Sequence, residues 1–352
     1  MAETLSPTVL TLKDIAREAG VSLATVDRVL HNRPGVRPDT VRRVKDAIAR
    51  NSFQPHVAAA ELARGRARRF AFVMPSGPNP FMQQIEAYLG EMAAWLSARR
   101  LNVEMIATDV FEPAALAASL EALSGDYDGV AVVALDHPSV RAAINDLVDA
   151  GTKVVTLVSD VPSSRRHHYV GIDNIAAGRT AGALVGRLVG QRSGKVAIVA
   201  GSQGLRDHAE RIFGFNQVMA TEFPDLSVLP VLEGRDEDDR SEQLLARLLG
   251  KHPDIVGLYN VGAGTQGVAK ALNDKALGAA GRDKQVVFVG HDVTALTRRL
   301  LLQGVMDAAI SQNPGHEARA AVRVLLALAR GEPILSEQEK IRIDIVMRDN
   351  LP

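Results

Sequence analysis

The chain contains no cysteine, which excludes disulfides and thiolate metal ligands and fits a reducing compartment. No stretch approaches the roughly 20 consecutive apolar residues that a membrane span requires. The opening residues, MAETLSPTVLTLKD, lack the basic-then-apolar order of a secretory signal. A cytoplasmic protein with no membrane partner is therefore expected. Also missing are a Ser-His-Asp spacing, a paired-carboxylate motif and a P-loop, so neither an enzyme nor a cofactor nor a metal site is expected.

What is present is a chain of 352 residues with 46% apolar content, long enough for two or three domains and a sizeable core. The net charge is zero, but it is unevenly spread. Residues 1–69 hold thirteen Lys and Arg against seven Asp and Glu, and the remainder carries the compensating acidic excess. A small basic head on a larger acidic body suits a DNA reader joined to a sensor, because DNA affinity rests largely on phosphate neutralisation.

The head is organised around residues 11–30, TLKDIAREAGVSLATVDRVL. Leu12, Ile15, Ala16 and Ala19 form one helical stripe, Gly20 ends it, and Ser22 caps a second helix whose Val26, Val29 and Leu30 face inward. Leu23, Ala24, Asp27, Arg28 and His31 then point away from that core. Pro38 opens a third helix with Val41, Val44, Ala47 and Ile48 on its apolar face. Two short helices with a polar stripe on the second match a helix-turn-helix, whose second helix enters the major groove. Beyond Pro55, residues 56–62 (HVAAAEL) read as a short helix that forms only when something buries it, with Leu62 as a wedge for the minor groove; a plain linker with an exposed leucine is the alternative. Residues 64–69 are a basic, glycine-containing connector.

From Phe70 onward, apolar runs at 70–75, 103–108, 129–135, 153–160, 195–201, 254–261, 285–292 and 307–313 alternate with amphipathic stretches such as 82–101 and 114–123. Strands this apolar, each followed by a helix, predict parallel sheets covered on both faces, divided between two lobes. Ligands in such sheets sit beyond the strand carboxyl ends. The polar and aromatic residues there are Asn79, Phe81, Asp136, Asp160, Asp173, Arg211, Asn260, Asp292 and Gln312, a set suited to a polyol.

The run TLKDIAREAGVSLATVDRVLHNRPGVRPDTVRRVKDAIARNSFQPHVAAAELARGR strongly resembles the head of the LacI/GalR family, including the Ala-Gly-Val-Ser turn, the Thr-Val-x-Arg-Val-Leu helix and the Pro-x-x-x-Ala-x-x-Leu hinge. The resemblance implies that Leu23, Ala24 and Arg28 face bases, that Ser22, Thr25 and His31 lie near phosphates, and that Leu62 enters the minor groove. Arg28 is suited to donate two hydrogen bonds to guanine. Asp27 stands where the family usually has Ser; it pairs with Arg28 or another basic residue, or accepts from a cytosine amino group.

The body resembles the ribose-binding-protein-like branch of type I periplasmic binding proteins through Asn79-Pro80-Phe81, Ile172-Asp173-Asn174, Arg211 before Ile-Phe-Gly-Phe, Tyr259-Asn260, Val289-Gly290-His291-Asp292 and Ile310-Ser311-Gln312. The likeness implies that Asn79, Phe81, Arg211, Asn260, Asp292 and Gln312 line an effector cleft, with Asp136 and Asp160 as further candidates. Met82 replaces an aromatic of the pattern, and VTLVSD at 155–160 replaces its Leu-Asp-Arg, so the ligand is not expected to be held as ribose is.

The expected architecture is an all-α helix-turn-helix head (1–50), a hinge helix and linker (51–69) and an α/β two-lobed periplasmic-binding-protein-like body (70–352), each lobe a parallel sheet flanked by helices. One lobe takes 70–173 with 313–331, the other 174–312 with 332–352. The expected function is a homodimeric transcriptional regulator, read as a repressor, that binds a pseudo-palindromic double-stranded operator under control of a sugar, polyol or sugar derivative. The alternative is a sugar-binding protein for transport, which the body alone would allow. Three other signals are set aside. Gly262 to Gly267 satisfies the G-x-G-x-x-G dinucleotide spacing but lacks the acidic residue at the required distance. Adjacent His167 and His168 point to opposite faces of a strand. The acidic run Glu233 to Asp239 reads most simply as a solvated loop, with effector contact as the alternative because of its position near the cleft.

Overall fold

A computed structural model describes residues 12–30, 34–51, 67–77, 79–278 and 286–352. It divides into two compact units, Met1–Arg66 and Ala67–Pro352.

In the first unit, α1 (Leu12–Ala19), α2 (Leu23–Leu30) and α3 (Pro38–Arg50) enclose a small core. Ile15, Val26, Val44 and Ala47 are fully buried there, one or two from each helix, as the apolar spacing requires. The turn between α1 and α2 is held by backbone bonds from Gly20 to Arg17 and from Val21 to Ala16. Ser22 Oγ accepts from the Thr25 backbone N–H at 3.2 Å, capping α2. Glu18 on α1 accepts from Arg50 Nε at 3.1 Å and so ties the end of α3 back to the first helix.

The second unit holds two sheets. The first, ordered β2-β1-β3-β4-β5, comprises β1 (Arg68–Pro75), β2 (Leu101–Thr108), β3 (Gly129–Val132), β4 (Lys153–Leu157) and β5 (His168–Val170), all parallel. Its intervening helices are α4 (Pro80–Glu91), α5 (Ala93–Ala98), α6 (Pro113–Glu121) and α7 (Pro138–Asp149). The second is built from β6 (Gly194–Ala200), β7 (Leu226–Val228), β8 (Leu232–Glu233), β9 (Ile255–Asn260), β10 (Val287–His291), β11 (Ala308–Ser311) and β12 (Asp344–Val346). Its order is β12-β11-β10-β9-β6-β7, with β8 also on β6; β12 runs antiparallel and the other pairings are parallel. Helices α8 (Asn174–Val189), α9 (Arg206–Glu222), α10 (Asp238–Lys251), α11 (Thr265–Gly278) and α12 (Ala295–Leu302) accompany it.

The chain passes between lobes three times: from β5 to α8, from β11 to α13 (Pro314–Arg330), and from α13 toward β12. Helix α13 packs on β3, β4, β5 and α4, so it belongs to the first lobe although it follows a strand of the second. A short turn, α14 (Ser336–Glu339), lies on the way back. Central strands are apolar on both faces: Phe70, Ala71, Phe72 and Val73 of β1 are all fully buried, as a parallel sheet covered on both sides demands.

Two features differ from the sequence expectation. The single helix over 82–101 is two, breaking at Met92. Four short strands, β5, β7, β8 and β12, lack an apolar run. Three of them close the ends of their sheets, where one side is unpaired and a continuous hydrophobic stretch is not required.

Helices α8 and α9 approach backbone to backbone. A Cβ added to Gly178 would lie 1.9 Å from the carbonyl oxygen of Arg211, and one added to Gly214 would lie 2.2 Å from that of Ile175. Gly178→Ala is expected to destabilise the body by about 1–3 kcal/mol through this overpacking, read by urea denaturation; an unchanged midpoint would show that the helices separate freely.

Candidate functional site

The carboxyl ends of the two sheets face each other across a cleft enclosing about 1020 Å³ of non-protein space, part of it open to solvent. The first lobe supplies a largely apolar wall with Phe81, Phe111 and Val158, while the second supplies Asp207, His208, Arg211, Asp236, Asp292 and Gln312. Phe81 is placed by Asn79, whose Oδ1 caps α4 by accepting from the Phe81 and Met82 backbone N–H groups at 3.0 and 3.3 Å.

Arg211 is the centre of the polar wall. It is 2% exposed, and its guanidinium donates to Asn174 Oδ1 (2.8 Å), the Val261 carbonyl (2.9 Å) and Gln312 Oε1 (2.7 Å). Asp207, one helical turn earlier, lies 3.7 Å away. Burial opposes the charge of Arg211, but Asp207, Tyr259 and Asp292 outweigh it and its pKa is raised. Gln312 in turn donates to both oxygens of Asp292, at 3.2 and 3.3 Å. Burial pushes the Asp292 carboxyl up to about 7, against the pull of Arg211 and Gln312. His291 is buried beside it and held well below its ordinary pKa by desolvation and by Arg211, so it is neutral. Its Nε2 pairs with Tyr259 Oη at 2.7 Å, and its Nδ1 has no partner. Behind the cleft, Glu317 on α13 is fully buried with neither oxygen hydrogen-bonded, and burial followed by Asp292 raises its pKa strongly.

The β8–α10 turn crosses to the first lobe. Asp236 accepts from Asn79 Nδ2 at 3.1 Å and from the Ala263 backbone at 3.0 Å. Arg235 reaches Asp109 and Glu112 at 3.4 and 3.3 Å and stands over the Phe111 ring. Elsewhere across the gap, Gln84 Nε2 donates to the Val293 carbonyl at 2.9 Å. Backbone strain gathers here too: Val158, Arg235, Asp236, Asp292 and Asn313 all have positive φ, between 53° and 65°. For a β-branched valine this conformation is especially costly, and such residues concentrate at ligand clamps.

Of the eight cleft residues expected from sequence, Asn79, Phe81, Arg211, Asp292 and Gln312 line the space. Asn260 does not: fully buried, it donates to Gly262, Ala263 and Thr265 and shapes the turn after β9. Asp160 is turned away into a bidentate pair with Arg166 and bonds to Thr156 and Val161. Asp136 pairs with Arg206 and Arg141 outside the cleft. Asp173 caps α8. Asp207 and His208 also line the space and were not expected, and Asp236 lies there from the acidic run for which effector contact was only the alternative. Asp207 was legible as the i−4 neighbour of Arg211, whereas Asp236 sat in an acidic run that reads equally well as solvated surface.

The Gly262–Gly267 stretch is also explained. Asp238 Oδ1 accepts from the Gln266 and Gly267 backbone N–H groups at 3.1 and 3.3 Å, occupying the helix start that a pyrophosphate would need. Gly267 is required by this approach, since a Cβ would fall 1.8 Å from the Asp238 carbonyl oxygen.

On the head, Ser22, Leu23, Ala24 and Arg28 are exposed on one side of α2, and Thr25 and Asp27 are half-buried. Asp27 has a partner within the protein. His31 and Leu62, with the expected hinge helix over 56–62, lie outside the described residues.

These features define a class: a helix-turn-helix head in one chain with a two-lobed binding body. The periplasmic binding protein domain family matches residues 70–333, and the lacI family of bacterial regulatory proteins matches residues 11–56. The chain belongs to the first family through its body and carries the lacI-family head; it is a LacI-type transcriptional regulator. Similar proteins include catabolite control protein A of Priestia megaterium, 23% identical over 82% of this chain and 84% of that one. Another is the HTH-type transcriptional regulator GalS of Salmonella typhimurium, 23% identical over 84% of this chain and 90% of that one. Among solved structures, a solute-binding protein from Burkholderia graminis in complex with D-arabinose superposes with a TM-score of 0.73 at 25% identity, covering 81% of this chain and 96% of its own. No helix among the described residues is long and apolar enough to cross a membrane.

The raised Asp292 pKa has a sign. Its folded-state value lies above the ordinary carboxylate value, so its ionisation opposes folding. The penalty is absent at about pH 4 and complete above about 7. Asp292→Asn, which cannot ionise, is expected to gain melting temperature relative to wild type on going from pH 5 to pH 8. The gain should be at least about 2 °C, the shift that about 1 kcal/mol produces in a domain of this size; a pH-independent difference in scanning calorimetry contradicts the assignment.

Proposed function

We propose that the head reads an operator through Leu23, Ala24 and Arg28 on α2, with Ser22 and Thr25 against phosphates, and that the cleft binds a sugar, polyol or sugar derivative that changes operator affinity. The observation that carries the effector reading is the division of the cleft into an apolar, aromatic wall and a carboxylate-amide wall. A sugar presents the same two characters, C–H faces and hydroxyl edges. D-arabinose in the Burkholderia graminis protein supports it as an example of a ligand held by this fold. The protein acts as a repressor and not as an enzyme, as a cytoplasmic homodimer on a pseudo-palindromic site. Each two-fold-related α2 then enters a successive major groove. The transport reading explains the body but leaves the exposed face of α2 without a role.

Closure of the cleft on the effector would shift the equilibrium between lobe arrangements, and the three interlobe crossings make that a hinge motion. The expected outcome for Arg28→Ala is a loss of about 1–3 kcal/mol in affinity for a duplex selected by the wild type from a random pool. Binding to scrambled duplex should change far less. Fluorescence anisotropy on both duplexes measures this, and equal losses on the two would remove Arg28 from base reading.

A further inference from the structure

The walls of the cleft carry an imbalance that narrows the class of ligand. Asp207, Asp236, Asp238 and Asp292 all face it, against one arginine and two histidines, His208 and His291. That arginine, Arg211, already donates from all three of its nitrogens to protein oxygens. His208 lies 3.6 Å from Asp207 and accepts at Nδ1 from the Ser202 backbone.

Most of the helix-start N–H groups at the cleft, which an anion would seek, are occupied as well. Asn79 covers the start of α4, Asp238 covers the start of α11, and Asp236 takes the Ala263 N–H. The start of α9 has no side-chain cap but carries Asp207 in its first turn. Among the cleft's carboxylates, accepting capacity is left unpaired. Asp207 lines the cleft, is 4% exposed, and its Oδ1 has no hydrogen-bond partner. Buried acceptors of this kind are costly until a donor arrives.

We propose that the effector is a neutral, hydroxyl-rich molecule, a free monosaccharide or polyol, and that this cleft rejects the phosphate ester and the aldonic acid of the same sugar. This rests on the sugar reading given above. Hydroxyl groups donate to Asp207 Oδ1 and Asp292 while their oxygens accept a hydrogen bond from the remaining N–H of His291 or His208. A phosphate or carboxylate offers no hydrogen to the unpaired Asp207 Oδ1 from its charged group and brings negative charge against buried carboxyls. The burial that raises the Asp236 and Asp292 pKa values is one measure of how poorly the site tolerates further negative charge.

The test is isothermal calorimetry, preceded by a thermal-shift screen, on the full chain with D-arabinose, D-ribose, D-galactose, D-glucose and their alditols. Each is matched with its terminal phosphate ester and its aldonate. The expected result is at least one neutral member that binds, with its phosphate and acid at least tenfold weaker, equivalent to about 1.4 kcal/mol. Asp236→Asn keeps an oxygen for the Ala263 N–H but loses the charge, so it should narrow that gap by several-fold. A phosphate or aldonate binding as tightly as its neutral parent in the wild type overturns the inference and leaves the sugar reading standing. Absence of a shift from every compound removes the sugar reading, and the inference with it.

Discussion

One buried guanidinium holds the sensing half of this protein together. Arg211 must bury a charge that cannot be neutralised, and a buried charge is tolerated only when it is paired and hydrogen-bonded. Its partners come from separate elements: Asn174 at the start of α8, the Val261 carbonyl after β9, and Gln312 after β11. Two of these partners, Asn174 and Gln312, sit where the chain crosses between lobes. The requirement to satisfy Arg211 therefore fixes the geometry of the crossings, and the close contact of α8 with α9 through Gly178 and Gly214 delivers Arg211 to that spot. Gln312 passes the constraint on by presenting its amide to Asp292 on the cleft wall.

Around this fixed centre the cleft is held under tension. Non-glycine residues with positive φ flank it, and the Arg235–Asp236 turn extends across to Asn79, Asp109 and Glu112. Strained backbone persists only where neighbouring contacts over-determine it. Here those contacts bridge the lobes, so changing the gap changes the strain. A ligand competing for Asn79 or Asp236 acts on the same bonds, which gives binding a physical route to lobe geometry without any new element.

The fold was largely legible because its two periodicities are strong. Contiguous apolar runs marked the central strands, and the stripe of Ile15, Ala16 and Ala19 followed by Val26 and Val29 marked the head. Three of the four edge strands were not legible, since β5, β7 and β12 are short and half exposed. The site divided in a similar way. Asn79, Phe81, Arg211, Asp292 and Gln312 line the cleft because each sits at a strand end or the first turns of the following helix, a position that sequence order reveals. Asp136, Asp160 and Asn260 share such positions but are taken by Arg206, Arg166 and the β9 turn, competitors known only once the chain is folded. Asp236 and Asp238 show the reverse: a run that looks like solvent-facing charge is drawn inward because Gly262, Gly264 and Gly267 leave room for it.

The central claim is that sensing and DNA reading are one linked equilibrium. Linkage makes the coupling reciprocal, with typical strengths of about 5- to 150-fold. The most direct measurement is the affinity of the full chain for a neutral sugar by calorimetry, with and without saturating selected operator duplex, alongside operator affinity with and without saturating sugar. The account predicts that both affinities change by the same factor, at least about fivefold. A sugar that binds tightly in the cleft while operator affinity stays constant, and the converse, contradicts it.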